Sequence, residues 1–275
     1  MITLQDKVAL ITDIHANDEA LIAILEDIKK RKINFTFSLG DLVGLGPSPS
    51  ECINLAMQNG IINILGNNDY YCILPLDTYS HLKGQQSSDS YQNAVWTKEQ
   101  LNTTQLNYLR KMPTSLDIKM NGKKIGLCHF PVDCRYFPRA VWSYEVDGTA
   151  ILDCTNTRYD AKYSIDPQNP GVILANKKPI FEGKKTKDYD AIIFGHYHFE
   201  RNDYKKDGNS TNFHSLNASG VAIDDYAVYY ILGPSKKGYY IKKVEVPYNI
   251  ERLYEKLDSI SYPKKTTFKE YIMKI

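Results

Sequence analysis

Three short apolar runs near the start of the chain, Val8–Thr12, Ile33–Leu39 and Ile61–Leu65, each stop at a residue able to bind a metal ion. Asp13 follows the first run, Asp41 follows the second across Gly40, and Asn67 follows the third across Gly66. Between the runs the spacing becomes helical. Leu21, Ile24, Leu25 and Ile28 recur at intervals of three and four, with Asn17 and Asp18 as candidate caps and Lys29, Lys30 and Arg31 at the far end. A second helix is expected from Ser50 to about Gln58. This strand–helix–strand–helix rhythm predicts parallel strands joined by crossover helices, an α/β fold. In such sheets the loops beyond the carboxyl ends of the strands share one edge and form the ligand crevice. Asp13, Asp41 and Asn67 are distant in sequence but are expected to meet there.

The later chain adds imidazoles in the same way. Leu116–Lys119 and Lys124–Cys128 flank Asn121-Gly122, a strong hairpin turn signal, and that hairpin delivers His129. A strand over Asp190–Phe194 delivers Gly195-His196-Tyr197-His198, and His15 stands two residues after Asp13. An isolated Asp-x-His is as readily a cap beside a surface histidine, and an isolated Gly-Asp is often only a turn. Gly-His-x-His is more specific, because alternate residues of an extended segment face opposite ways. Two ligands there need a kinked loop, which the preceding glycine permits. The weight lies in the ordered conjunction, each member just past a predicted strand. Three carboxylates, four imidazoles and an amide suffice for two cations sharing one carboxylate. Such a pair stabilises both the attacking and the leaving oxygen in displacement at phosphorus. Oxygen and nitrogen ligands without thiolate suit manganese, iron, cobalt or zinc.

Composition narrows the class. At 275 residues the chain fits one large α/β domain with an insertion, or two small domains. A net charge of +2 makes no case for a broad polyanion-binding surface, so phosphate recognition should be local. The five cysteines form an odd set with no Cys-x-x-Cys pair, which argues against a disulfide framework. No basic n-region or long apolar h-region precedes Thr12, and no apolar run reaches membrane-spanning length, so a cytoplasmic protein is expected. Ala94–Leu109 reads as one helix with Thr97 or Thr103 as a possible cap. Asn212–Leu216, Tyr226–Leu232 and Tyr239–Val246 read as a β-meander, and Ile250–Ile260 as a final helix. Residues 130–185 are polar and aromatic and read as a cap or insertion. His81 is expected at the surface, His214 and Cys128 in packing roles, and Tyr70 and Tyr71 at the mouth of the crevice.

The order Asp-x-His, Gly-Asp, Gly-Asn-x-Asp, His, Gly-His-x-His resembles the signature of the calcineurin-like metallophosphoesterase superfamily. Gly40-Asp41-Leu42-Val43-Gly44-Leu45-Gly46-Pro47 and Asn217-Ala218-Ser219-Gly220 are similar to segments of its small prokaryotic phosphodiesterase branch, which includes diadenosine tetraphosphate hydrolases. The resemblance covers residues 1 to about 245, the stretch 130–185 carrying none of the motifs. It implies a four-layer α-β-β-α sandwich, a single domain over 1–275 with a cap at 130–185. It also implies two divalent or trivalent transition-metal ions, manganese foremost, with iron or zinc as alternatives. Asp13, His15 and His198 would bind one ion, and Asn67, His129 and His196 the other. Asp41 would bridge them with a water or hydroxide, the nucleophile.

One position departs from the pattern. Many members carry histidine after the asparagine, where it contacts the phosphoryl oxygen and protonates the leaving group. Here the residue is Asn68. An amide can hydrogen-bond a phosphoryl oxygen but delivers no proton near neutral pH. That favours a leaving group needing no acid, such as a nucleotide, whose terminal phosphate has a second pKa of about 6. Equally, the branch could simply tolerate variety at this position. In the cap, Arg135 and Arg139 suit phosphate, and Tyr136 and Trp142 suit a stacked base; the same segment could instead pack on the body or form a homodimer interface. The expected partner is a nucleotide-type small molecule, cleaved at a phosphodiester or phosphoanhydride bond, with diadenosine tetraphosphate split to ATP and AMP as the named case. No membrane or nucleic-acid partner is expected. The rival readings are a phosphomonoesterase or protein phosphatase, and a non-catalytic partner-binding module on the same fold.

Overall fold

The computed structural model describes residues 1–73, 91–113, 115–129, 189–198, 211–221, 226–261 and 263, with the backbone alone of 89–90, 144–146, 149–151, 162–165, 173–176 and 201–205. β1 (Ile2–Leu4) and β2 (Val8–Ile11) lead into α1 (Asp18–Lys30), β3 (Thr36–Ser38), α2 (Pro49–Gln58), β4 (Ile62–Asn63) and α3 (Asn67–Ile73). Next come α4 (Asp89–Glu99), α5 (Thr103–Arg110), β5 (Ser115–Met120) and β6 (Lys123–Cys128). Four short strands follow, β7 (Tyr144–Val146), β8 (Thr149–Ile151), β9 (Lys162–Ile165) and β10 (Ile173–Asn176). The chain then forms β11 (Ala191–Phe194), β12 (Arg201–Lys205), β13 (Asn212–Ser215), β14 (Tyr226–Ser235), β15 (Gly238–Pro247) and α6 (Ile250–Ser259).

Two sheets dominate. One has the order β15-β14-β2-β3-β4, and the other β1-β5-β6-β11-β13-β12. β2, β3 and β4 run parallel, as do β6, β11 and β13. The alternation of β2 decides what each face packs against. Val8 and Leu10 meet Phe37, Ile125, Leu127, Ile193 and Tyr230 between the sheets. Ala9 and Ile11 meet Leu21 and Ile24 of α1, together with Cys52 and Ile53 of α2. In the second sheet Ala191 and Ile193 face that inter-sheet core, yet Ile192, Phe194 and Phe213 on the opposite face are buried too. Both sheets are therefore packed on both faces, the layered α/β sandwich that the sequence predicts. Among the described residues, no helix is long and apolar enough to cross a membrane.

Several local expectations change. The helix expected over Ala94–Leu109 is two helices. Asn102 opens α5 with a capping box, accepting from Gln105 N at 3.0 Å while its own N–H donates to Gln105 Oε1 at 2.9 Å. Neither Thr97 nor Thr103 is the cap. The predicted β-meander is also wrong. β14 and β15 form a hairpin, but β13 belongs to the other sheet, between β11 and β12. Pattern alone cannot assign strands to sheets, because both faces are buried in either case. His214 on β13 bridges the sheets through Tyr239 Oη on β15, 3.0 Å away, a structural use as expected. Cys128 is buried, and Asn121-Gly122 makes the β5–β6 turn with positive φ at both residues. β7–β8 and β9–β10 are separate two-stranded ribbons within the stretch read as a cap. His81 lies outside the described residues.

A candidate dinuclear metal centre

Five strand ends feed one crevice. β2 delivers Asp13 and His15, β3 delivers Asp41, β4 delivers Asn67, β6 delivers His129, and β11 delivers His196 and His198. Backbone bonds stitch the loops together: Asp13 N to Gly40 O at 2.9 Å, His15 N to Asp41 O at 3.0 Å, and Gly195 N to His129 O at 3.1 Å. Asn67 and Asn68 do not sit in a loop, as the sequence suggests, but open α3. Tyr70, expected at the mouth, is a core residue at 6% exposure.

The backbone is bent where the ligands stand. Asp13, His15, Asp41, His196 and His198 all have positive φ, from 51° to 71°. That region costs a non-glycine residue about 1–2 kcal/mol, and such outliers cluster at functional sites. The kink that brings both His196 and His198 into the crevice, one to each cluster, thus lies on the histidines themselves. Gly195 serves a different need from the one expected of it. A Cβ there would lie 1.9 Å from Thr12 Oγ1 and 2.4 Å from Asp13 Oδ2, so glycine provides room for the close approach.

Two clusters result, one of Asp13, His15 and His198, the other of Asp41, His129 and His196, each with ligand atoms within 4.8 Å of one another. In the first, His15 Nε2 and His198 Nε2 are 2.9 Å apart, and Asp13 Oδ1 is 3.3 Å from His198 Nε2. In the second, Asn67 Oδ1 sits 3.1 Å from His129 Nε2 and 3.0 Å from His196 Nδ1. Asp41 Oδ2 stands between the clusters, 3.4 Å from His129 Nε2 and 3.9 Å from His15 Nε2.

The donor set fits cations. Asp13 Oδ1 is buried and accepts no hydrogen bond, an expensive arrangement for a carboxylate unless a positive charge is meant to face it. His129 Nδ1 lies 2.9 Å from Leu39 O, to which it donates, so Nε2, which faces Asn67 and His196, is the nitrogen left to bind a metal once its proton is lost. The electrostatics agree. Burial would raise Asp41, but the His129 imidazolium holds it down to about 2. Burial would lower His129, but the Asp41 and Asp13 carboxylates lift it to about 9. His15 and His196 are pushed down to about 4 by burial and by the charge of neighbouring imidazoles.

Other supports carry weaker sequence signals. Asn68 clamps Asp41, donating from its backbone N to Oδ1 at 2.8 Å and from Nδ2 to Oδ2 at 2.7 Å. Asp69, the last residue of the Gly-Asn-x-Asp motif, is fully buried and staples two loops, accepting from Gly66 N at 3.0 Å and Val43 N at 3.1 Å. Burial and the charge of Asp41 push it up to about 7. Its place in the motif was the signal, but the sequence assigned it no task. Ser219, behind Asp13, belongs to the Asn217-Ala218-Ser219-Gly220 segment that helps mark the resemblance but has no task assigned by sequence, and Thr12 carries no signal. Arg135, Tyr136, Arg139 and Trp142 lie outside the described residues.

Comparison with known proteins agrees with this geometry. Residues 6–200 match the model of the calcineurin-like phosphoesterase family. An uncharacterized protein of Methanocaldococcus jannaschii is 34% identical over 130 residues, which cover 46% of this chain and 49% of that protein. The match thus spans about half the length of that relative. A hypothetical protein of Pyrococcus horikoshii superposes with a TM-score of 0.66 at 18% identity, over 97% of this chain and 98% of that one. A metallophosphoesterase of Sphaerobacter thermophilus superposes with a TM-score of 0.62 at 22% identity, over 98% and 100% of the two chains. A candidate diadenosine tetraphosphatase gives 0.50 at 15% identity, over 89% and 97%. At such identities the solved structures speak for the fold alone. Family match and assembled donor set lead to one conclusion: the chain belongs to the calcineurin-like phosphoesterases, and it carries two clusters of side chains that could hold metal ions.

Proposed function

We propose that this chain is a dinuclear-metal phosphohydrolase of phosphodiester or phosphoanhydride bonds in nucleotides, cleaving diadenosine tetraphosphate asymmetrically to ATP and AMP. The observation that carries the two-metal part is the position of Asp41 Oδ2 between the two clusters. Asp13, His15 and His198 would hold one ion, Asn67, His129 and His196 the other, and Asp41 would be shared. Manganese is the proposed metal, with iron or zinc as alternatives of the same ligand preference. Bound there, two cations supply Lewis-acid charge and a water of lowered pKa at phosphorus.

The chain's own groups do the rest. The buried carboxylates and the left-handed backbone hold the donors in place before substrate arrives, so little reorganisation is left for the reaction. His198, 22% exposed, marks the open side of the crevice, where a phosphate can enter. Asn68 keeps Asp41 oriented through its amide, a group with no transferable proton. A leaving group that departs as a stable phosphate anion suits such a site better than an alkoxide does. We further propose that the whole chain is one domain and that its stretch 130–185 caps the crevice. Arg135 and Arg139 would then meet phosphates, and Tyr136 and Trp142 a base.

The test compares wild type and Asn68→His, both loaded with manganese. The substrates are diadenosine tetraphosphate, bis(p-nitrophenyl) phosphate and p-nitrophenyl phosphate. Wild type should favour the first two. Asn68→His should raise monoester turnover by about 10²-fold or more, the usual worth of a general acid. A wild type that prefers the monoester, or a variant with an unchanged profile, contradicts the role given to this position.

A further inference from the structure

We propose that Thr12 is a positioning residue for metal binding, whose hydroxyl decides which oxygen of Asp13 faces the ion. This rests on the two-metal reading above. A carboxylate can turn about its Cβ–Cγ bond and exchange its oxygens, so a defined ligand atom requires donors on the other one. Asp13 has two such donors, both on Oδ2: Thr12 Oγ1 at 2.6 Å and His196 N at 2.9 Å. Oδ1 is left without a hydrogen bond and stands 3.3 Å from His198 Nε2 and 3.8 Å from His15 Nε2. The asymmetry is complete: one oxygen belongs to the protein and the other to the candidate metal.

Thr12 is itself held. Its backbone N–H donates to Ser219 Oγ at 3.0 Å, and Ser219 N donates back to Thr12 O at 2.7 Å. Gly220 N donates to Asp13 O at 3.1 Å, so the turn at 219–220 grips the carbonyls of both residues. Thr12 is fully buried, so no water competes for its hydroxyl. Gly195 leaves the opening through which the hydroxyl reaches the carboxylate. Asp41 is handled differently, since both its oxygens are donated to by Asn68. The Thr12 hydroxyl therefore serves the Asp13–His15–His198 cluster selectively.

The full chain, stripped with chelator, is titrated calorimetrically with Mn²⁺ as wild type, Thr12→Val, Thr12→Ala and Thr12→Ser. Electron paramagnetic resonance at one and two equivalents reports whether the ions are coupled. Wild type should bind two ions. Thr12→Val and Thr12→Ala should keep one site at wild-type affinity and lose about 10- to 100-fold at the other, as outer supports of metal ligands do. A mononuclear signal should then persist at two equivalents. Thr12→Ser should restore the pair, because it keeps the hydroxyl. Two ions bound with wild-type affinity by Thr12→Val, or by Thr12→Ala should the valine variant not fold, overturn the role of Thr12 alone. So does a Thr12→Ser variant as impaired as Thr12→Ala, since volume would then be what matters. A wild type that binds no Mn²⁺ overturns the two-metal reading itself.

Discussion

Replacing Gly66 should do harm out of proportion to the one carbon added. A Cβ at this position would lie 2.2 Å from both Asp41 N and Asp41 Oδ1, and 2.9 Å from Asp41 Cγ. Ordinary carbon contacts begin near 3.4 Å, so alanine must push the two loops apart by about 1 Å. Nothing there yields cheaply. One neighbour is backbone, and the other is a carboxylate oxygen held by Asn68 N at 2.8 Å. A shift of that size takes both Asn68 contacts with Asp41, now 2.8 and 2.7 Å, beyond hydrogen-bond reach. Overpacking of this kind costs about 1–3 kcal/mol, and weakening two charge-assisted bonds adds about 1–3 kcal/mol more. At about 2–4 °C per kcal/mol for a chain of this class, Gly66→Ala should melt about 5–20 °C lower. Because Asp41 stands between the clusters, Mn²⁺ affinity should fall at both. Gly60→Ala is the control: its φ is +61° with no atom within 4 Å of the added carbon, so it loses backbone freedom without a clash. It should cost only about 1–2 kcal/mol and leave metal binding unchanged. The assay is thermal unfolding in chelator, followed by Mn²⁺ calorimetry. A Gly66→Ala variant that matches Gly60→Ala in both would refute the reasoning.

Two further outcomes are expected. Metal loading should release a proton near neutral pH, because His129, lifted to about 9, must lose one before its Nε2 can ligate, whereas His15 and His196, at about 4, are already neutral. Affinity should accordingly rise about tenfold per pH unit up to about pH 9 and then level off; calorimetry in buffers of different ionisation enthalpy counts the proton, and a count of zero at pH 7 contradicts the account. Each saturated site should also stabilise the fold by about 2.7 kcal/mol at a hundredfold excess over its Kd, or about 5–10 °C, reversible by chelator; a melting temperature indifferent to manganese would argue against binding within the folded crevice.

The half of the site that lies on parallel strands was the easiest to read. Apolar runs such as Val8–Thr12 announce a buried strand, and the polar residue just after each run falls at the sheet edge by geometry alone. His129 was legible because Asn121-Gly122 is a hairpin signal that fixes where β6 ends. Less could be said where packing decides. β13 carries the same pattern as β14, yet it pairs in the other sheet. Residues 216–221, which follow β13, pass behind Asp13, so Ser219, visible in sequence only as part of a familiar segment, acquires its partner Thr12 through packing. Gly195 illustrates a similar limit: the sequence suggests a glycine used for its backbone freedom, but its use is space for Thr12, far away in the chain. Tyr70 departs from expectation because a tyrosine beside a ligand loop looks the same in sequence whether its ring turns in or out. Helix α3 turns it in.

The most direct test is turnover of diadenosine tetraphosphate by the manganese-loaded protein, with products resolved by anion-exchange chromatography and Asp41→Asn alongside. ATP and AMP in equal amounts, lost in Asp41→Asn, is the predicted result. No turnover of this substrate, while an activated aryl diester is cleaved and Asp41→Asn abolishes that cleavage, would leave the metal centre standing and contradict the proposed substrate.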